Sequence, residues 1–342
     1  MAIDLLNEHD AATFLNQLPK VELHVHLEGA IPLGILWQLA QKYGLEGGLS
    51  DVAELESRFV YKDFAQFIDT WVWVGRHLRE YEDYTMISNA VANDLYEQGI
   101  RYAELMYSPT RDSAKHLNPQ RITEAILEGF EKGPDGIKLQ LIADIVRDNG
   151  PKEAETMVEA LGEMGKAGPV GIGIGGSEHL YPPGPYEGVF EKARDFGFHT
   201  AAHAGEAAGS ESVWETITSL RVERIGHGVR AIEDPDLLTY LIERQIPIEL
   251  CPTANVRTGI VPNIRAHPLK QFYDLGMKIF LNSDDPKLFN TSLYSEYKTV
   301  IDTFNFGLRE IRRLTENAVE SAWCDTEMKT ELKEAISRCF SH

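Results

Sequence analysis

Four places in this 342-residue chain set a histidine or an acid directly after an apolar, strand-like run. The first is His24-Val25-His26. Residues i and i+2 of a strand point to the same face, so the two imidazoles project to one side, close enough to share a metal ion. The second is His203-Ala204-Gly205-Glu206, and the third is Gly226-His227-Gly228, where flanking glycines let backbone approach closely. The fourth is Asn282-Ser283-Asp284-Asp285-Pro286. Two adjacent acids after an apolar strand are costly to bury unless a metal or a partner takes the charge.

Taken singly, each place has a plainer use. His-x-His also serves as a satisfied core or surface pair. Glu206 could satisfy a helix N-terminus, and Asp285 could cap one. From their four histidines and three acids they can supply three neutral imidazoles and one carboxylate, a donor set that suits zinc with a position left for water. A zinc so held lowers the pKa of its water to about 7.

Those groups need elements that bring them to one point. Apolar, β-branched runs recur at Val21–Leu27, Arg101–Tyr107, Lys138–Ile145, Val170–Gly175, His199–His203, Glu223–Gly226, Pro247–Cys251 and Lys278–Asn282. Amphipathic helical stretches lie between them, as at Tyr186–Phe196, Glu211–Leu220, Asp234–Arg244 and His267–Leu275. Eight strands alternating with helices predict a parallel sheet closed into a TIM-type (β/α)₈ barrel, whose chemistry sits at the C-terminal ends of the strands. A doubly wound open sheet is the alternative, but it wants a Gly-rich phosphate loop after the first strand, and here that strand ends in histidines. About 70 residues separate the first two strands, far more than a usual connection, so extra helices are expected there. They carry Phe59, Phe64, Phe67, Trp71 and Trp73, which either pack those helices or line a lid over an apolar pocket. From about Leu308 onward the chain reads as helices closing the barrel.

Composition narrows the partners. A formal net charge of −20 repels phosphate backbones and anionic membranes, so neither nucleic acid nor a membrane surface is expected as a partner. The three cysteines, Cys251, Cys324 and Cys339, lack a CxxC spacing and fit a reducing compartment. The first twenty residues carry scattered acids and no unbroken apolar core, unlike a signal peptide, and no run approaches about 18 apolar residues. A cytoplasmic protein built as one barrel domain over residues 1–342 is the expectation. Oligomeric state is not legible.

The segments PKVELHVHLEGAI, GIGIGGSE, HAGEAAGSESVW, ERIGHGVRAIED, CPTANVRTG and LNSDDP, spread from about Pro19 to Tyr297, resemble the adenosine deaminase family of the amidohydrolase superfamily. That resemblance implies one Zn²⁺ per subunit, held by His24, His26, His203 and Asp284. Asp284 would also contact the attacking water, and His227 would orient that water and stabilise its developing charge. Glu206 would protonate purine N1, Asp285 would hold N7, and the Gly176 N–H would face N3. A proton at N1 as hydroxide adds to C6 avoids a ring anion, and general acid catalysis of that kind contributes about 10²–10⁴-fold. Binuclear relatives use a lysine at the end of strand four, which is absent from Gly171–Glu178. The HxE and PCxxC pattern of cytidine deaminases is absent too.

The resemblance is not uniform. Glu28 stands where many members carry an aspartate on the ribose 5′-hydroxyl, so the longer side chain puts that sugar contact in question. HLEG, GGSE and NSDDP are similar to aminodeoxyfutalosine and adenine deaminases, whereas HAGEAAGSESVW, ERIGHGVRAIED and CPTANVRTG are similar to nucleoside-acting members. The expected substrate is therefore a small adenine compound: adenosine or a related nucleoside first, aminodeoxyfutalosine or free adenine as alternatives. His26, Phe64 and Phe67 are further candidates for contact with it, and Arg257 either meets an anionic substituent or is a surface charge. A catalytically silent binding protein is the remaining alternative, and it would have no need of the intact set of water-activating residues.

Overall fold

The computed structural model describes residues 8–340 apart from 46, 112, 113 and 115. Eight strands follow one another in space as in sequence: β1 (Lys20–His26), β2 (Ile100–Tyr107), β3 (Lys138–Val146), β4 (Gly171–Gly175), β5 (His199–Ala204), β6 (Arg224–His227), β7 (Ile248–Leu250) and β8 (Ile279–Leu281). Each pairs in parallel with the next. The strands are apolar because sheet and helices bury both faces, and β1, β4, β6, β7 and β8 are buried throughout. The TIM-type barrel predicted from the alternation is thus what forms, each strand within two residues of its expected bounds.

Closure between β8 and β1 uses a side chain. Asn282 Oδ1 accepts from the backbone N–H of Leu23 (2.9 Å) and of His24 (3.1 Å). Just beyond, Asp284 and Val25 form a parallel bridge. The Asp284 N–H donates to the His24 carbonyl at 3.1 Å, and the His26 N–H donates to the Asp284 carbonyl at 2.8 Å. The seam of the barrel is therefore built from the same residues that carry the ligand-type side chains.

The long connection after β1 holds helices at Leu33–Tyr43, Val52–Leu55, Phe64–Gly75 and Tyr81–Glu97. Asp63 caps the third by accepting from the Gln66 N–H at 3.0 Å, and a Glu80/Asp83 capping box starts the fourth. Phe67, Val74 and Gly75 are the buried residues of the third helix. Phe59 packs in the core, and Trp73 packs on His77 at 4.4 Å. Phe64, Phe67, Ile68 and Trp71 instead face a cavity over the strand ends. Both uses considered for the aromatic residues are present, on different residues. The tail closes the barrel as expected, with helix Leu308–Ser321 packed on β1 and β8. The expected helix Glu211–Leu220 is α-helical only over Ser210–Glu215 and widens into a π turn over Thr216–Leu220. Among the described residues no helix is long and apolar enough to cross a membrane. All three cysteines are free.

Candidate metal and catalytic centre

At the C-terminal mouth of the barrel, ligand atoms of His24, His26, His203 and Asp284 lie within 4.8 Å of one another, all on buried residues. Their tautomers follow from outer partners. His24 Nδ1 lies 2.7 Å from Glu249 Oε2, and His203 Nδ1 lies 3.0 Å from the Ile174 carbonyl. Both outer atoms are acceptors, so each ring carries its proton on Nδ1 and turns a bare Nε2 inward. His203 Nε2 is 3.1 Å from His26 Nε2. Asp284 Oδ1 is 3.6 Å from His24 Nε2 and 3.4 Å from His26 Nε2. Three imidazole nitrogens and a carboxylate oxygen thus converge on one point, and with the His26 proton on Nδ1, as in the other two rings, all four offer lone pairs, which is the demand of a cation. Burial disfavours charge on His24, yet without an ion the Asp284 and Glu249 carboxylates push it up to about 10, so a proton then takes the inward Nε2 position that a metal would occupy. The donor set fits zinc.

Two of these loop residues stand in unusual backbone. His227 (φ 62°) and Asp284 (φ 64°) are left-handed although neither is glycine, a conformation that clusters at functional sites. Gly226 is required beside them: a Cβ there would meet His24 Cε1 at 2.6 Å. Gly29 has the same logic, since a Cβ would collide with the Asp285 carboxylate.

The tautomer of His227 is fixed by a chain that starts from an unambiguous donor. The Leu269 N–H donates to His267 Nδ1 at 3.1 Å, which leaves the proton of that ring on Nε2. His267 Nε2 then donates to Asn255 Oδ1 at 3.2 Å, which turns the amide NH₂ of Asn255 toward His227 Nδ1 at 3.1 Å. His227 therefore accepts on Nδ1 and presents Nε2–H to the site, 3.6 Å from Glu206 Oε2 and 4.0 Å from Asp284 Oδ2. Burial lowers His227 to about 3 and holds His203 well below the ordinary imidazole range, so both are neutral.

The carboxyls divide. Burial, then the charges of Asp284 and Glu178, hold Glu206 well above the usual carboxylate range. Burial and the Asp284 charge do the same to Asp285. Burial opposes ionisation of Asp284 as well, but His24 as hydrogen-bond partner and the charges of the neighbouring imidazoles hold its pKa below the usual value. One carboxylate and two carboxylic acids therefore face the same cavity, a separation that lets one site hold both proton donors and an acceptor.

Glu206 is positioned by Glu178. The Glu178 carboxylate accepts backbone N–H bonds from Gly205 (2.6 Å), Glu206 (3.0 Å), Ala207 (2.7 Å) and Ala208 (2.9 Å), and the hydroxyl of Ser212 at 2.6 Å. Arg147 ties β4 to β5 by donating to the carbonyls of Gly175 (3.2 Å) and His203 (2.8 Å).

The cavity is about 500 Å³, counting its open mouth, and has Phe64, Phe67, Ile68 and Trp71 on one wall. His26, His203, Glu206, His227, Asp284, Asp285 and Gly176 also border it, so the structure gathers these expected site residues in one place. It does not bring Glu28 or Arg257 to that wall. Glu28 is 1% exposed, ion-paired with Arg111, and accepts from the Ser108 N–H at 3.2 Å. Arg257 is exposed. Sequence reasoning did not single out Asn255, His267, Glu178, Glu249, Arg147 or Asp144, whose buried carboxyl borders the cavity and is raised to about 7 by burial.

The profile of the adenosine deaminase family matches residues 19–339. The aminodeoxyfutalosine deaminase of Streptomyces avermitilis is 34% identical over 338 residues, covering 97% of this chain and 94% of that protein. The adenine deaminase of Rhizobium johnstonii is 35% identical over 320 residues, covering 93% and 98%. Among solved structures, an amidohydrolase of Burkholderia ambifaria with bound Zn superposes with a TM-score of 0.87 at 26% identity, covering 98% of this chain and 96% of that one.

Proposed function

This chain belongs to the adenosine deaminase family and is a deaminase acting on a C–N bond; from that premise we propose that it hydrolyses adenosine, or a related adenine nucleoside, to the inosine-type product and ammonia, with one zinc ion per subunit. The observation that carries the reading is the meeting of bare imidazole nitrogens and an ionised Asp284 with two protonated carboxyls at the floor of an apolar cavity. The relatives named for aminodeoxyfutalosine and for adenine support the same chemistry on those two compounds as alternatives.

His24, His26, His203 and Asp284 would hold the ion. When bound, zinc supplies Lewis acidity and makes water a nucleophile at neutral pH. The residues of the chain do the rest. Asp284 Oδ2 and His227 Nε2 are 4.0 Å apart, so one water can touch both. Asp284 accepts its proton, and His227 donates to its oxygen. Glu206, kept in the acid form, protonates N1 as electrons leave C6. Asp285, also kept in the acid form, can donate its O–H to N7, which is an acceptor. The Gly176 N–H faces N3. The water oxygen bonds to C6, Asp284 passes the proton it took to the amino nitrogen, the C6–N bond breaks with ammonia as the leaving group, and the C6 hydroxyl gives up its proton to restore the Glu206 acid and leave the 6-oxo product.

Reaction in ¹⁸O-labelled water should place one ¹⁸O at C6 of the product. Loss of ammonia without label would end the hydrolytic reading. A second expectation concerns the His227 tautomer. Asn255→Asp offers only acceptors to Nδ1, so the proton moves to Nδ1 and the Nε2–H is lost. Steady-state kinetics should show kcat lower by about 10²–10³-fold, the scale of one oriented donor, with KM changed much less. An unchanged kcat would remove His227 from its role.

A further inference from the structure

The mechanism leaves unused a row of buried charges that ends on His24. Glu249 of β7 is its inner member. Its Oε2 lies 2.7 Å from His24 Nδ1, and its Oε1 lies 2.7 Å from Nε of Arg224, the first residue of β6. The far arm of the guanidinium, Nη2, lies 2.6 Å from Glu104 Oε2 on β2. β2 and β6 are not neighbours in the sheet, so this ion pair crosses the barrel interior. Nη1 donates to the Ser321 carbonyl at 3.0 Å. Glu104 Oε1 accepts from the Tyr102 hydroxyl (2.8 Å) and from the Trp323 N–H (2.5 Å). The Trp323 ring covers the guanidinium face, with Cζ 3.5 Å from its centroid. Trp323 itself stacks on His199 at the start of β5, at the end of the barrel opposite the mouth. His24, Glu104, Arg224 and Glu249 are all buried.

A buried ion pair is a weak source of stability, because desolvation offsets most of the attraction. Position gives this one another use. The Glu249 carboxylate has two oxygens, and each has one assigned partner. Oε1 faces a guanidinium, which can only donate. The guanidinium cannot swing away, since Glu104, the Ser321 carbonyl and the Trp323 ring hold it on its other sides. The carboxylate plane is thereby fixed and Oε2 is aimed at His24 Nδ1. The ring proton stays on Nδ1, and Nε2 keeps its lone pair toward the metal position.

Resting on the metal-dependent reading above, we propose that Arg224 is a positioning residue of the metal centre: acting through Glu249, it holds His24 in the tautomer and orientation that bind zinc. Glu104 and Trp323 are its supports. The floor of the barrel thus reaches the metal position through one chain of side chains, apart from the loops that form the mouth.

The test reads the zinc dissociation constant by chelator competition, with the visible spectrum of the cobalt-loaded protein beside it, in the parent, in Glu249→Gln and in Glu249→Gln combined with Arg224→Met. The amide of Glu249→Gln keeps the volume but has one oxygen to offer. Arg224 claims that oxygen, so the NH₂ turns to His24 Nδ1 and the ring proton moves to Nε2. Zinc should bind about 10–100-fold more weakly. Adding Arg224→Met removes the competitor and lets the amide oxygen turn back to His24. Zinc should then bind at least about threefold more tightly than to Glu249→Gln alone, with the cobalt spectrum returning toward that of the parent. A purely structural role predicts the opposite, because a second core substitution adds its own damage. Parental zinc binding in Glu249→Gln, or binding in the double variant no tighter than in Glu249→Gln, would overturn the proposal. If either of these variants does not fold, Arg224→Lys decides. It keeps the buried charge but reaches one carboxylate rather than two, so zinc should bind at least about fivefold more weakly, and unchanged binding overturns the proposal. A parent protein that takes up no zinc would defeat the metal reading and this proposal together, whereas parental zinc binding in the variants defeats the proposal alone.

Discussion

Glu206→Gln should lower kcat by about 10²–10⁴-fold, the range of one general acid, and leave the bound metal in place. The amide fits the same space and keeps the four backbone bonds that Glu178 makes to the loop. What it lacks is a transferable proton. The pH profile sharpens the expectation. Burial and the charges of Asp284 and Glu178 raise the Glu206 pKa, so the acid form is the one present at neutral pH. Activity of the parent enzyme should therefore decline as pH climbs through that raised value, and the residual rate of the variant should lose this alkaline decline. Metal analysis and a pH–rate series check both parts. Metal loss in Glu206→Gln would mean that the residue is a ligand rather than an acid.

Asp284→Asn should abolish turnover by about 10³-fold or more, because it removes an anionic ligand and the proton acceptor together. Asparagine is the better probe than alanine. Position 284 has φ 64°, a conformation that Asn and Asp tolerate and Ala does not. Its backbone bonds to His24 and His26, which help close the barrel, are kept. The circular dichroism spectrum should be retained while metal content falls. Near-parental activity would contradict the assigned centre, and a lost fold would locate the effect in the seam instead.

How much of this the sequence disclosed follows from how each residue is placed. His24 and His26 are two apart on a strand, His203 and His227 lie at the ends of two others, and Asp284 follows β8 by three residues. The barrel rule alone brings such positions to one mouth, so the cluster is legible without coordinates. The family resemblance added expected roles, and it also suggested a sugar contact for Glu28, which the fold instead buries against Arg111. That pairing joins residues 83 apart in sequence, and no local pattern announces it. The same holds for Asn255 and His267. Each sits in a loop or short helix, and their value lies in a hydrogen-bond chain that ends on His227, 28 residues from Asn255. Glu178 was visible in GGSE but mute, because four N–H groups of another loop define its use. The helix Phe64–Gly75 was foreseen as an insertion, whereas which aromatic residues pack and which face the cavity depended on its rotation about its axis.

The central claim is that a metal-dependent centre in this chain deaminates an adenine compound. The most direct test is ammonia release from adenosine, aminodeoxyfutalosine and adenine by purified protein in three states: stripped by a chelator, reloaded with one equivalent of zinc, and stripped again. Turnover is expected only in the reloaded state, on at least one of these compounds. Full turnover by the stripped protein, or none after reloading on any adenine compound, would contradict it.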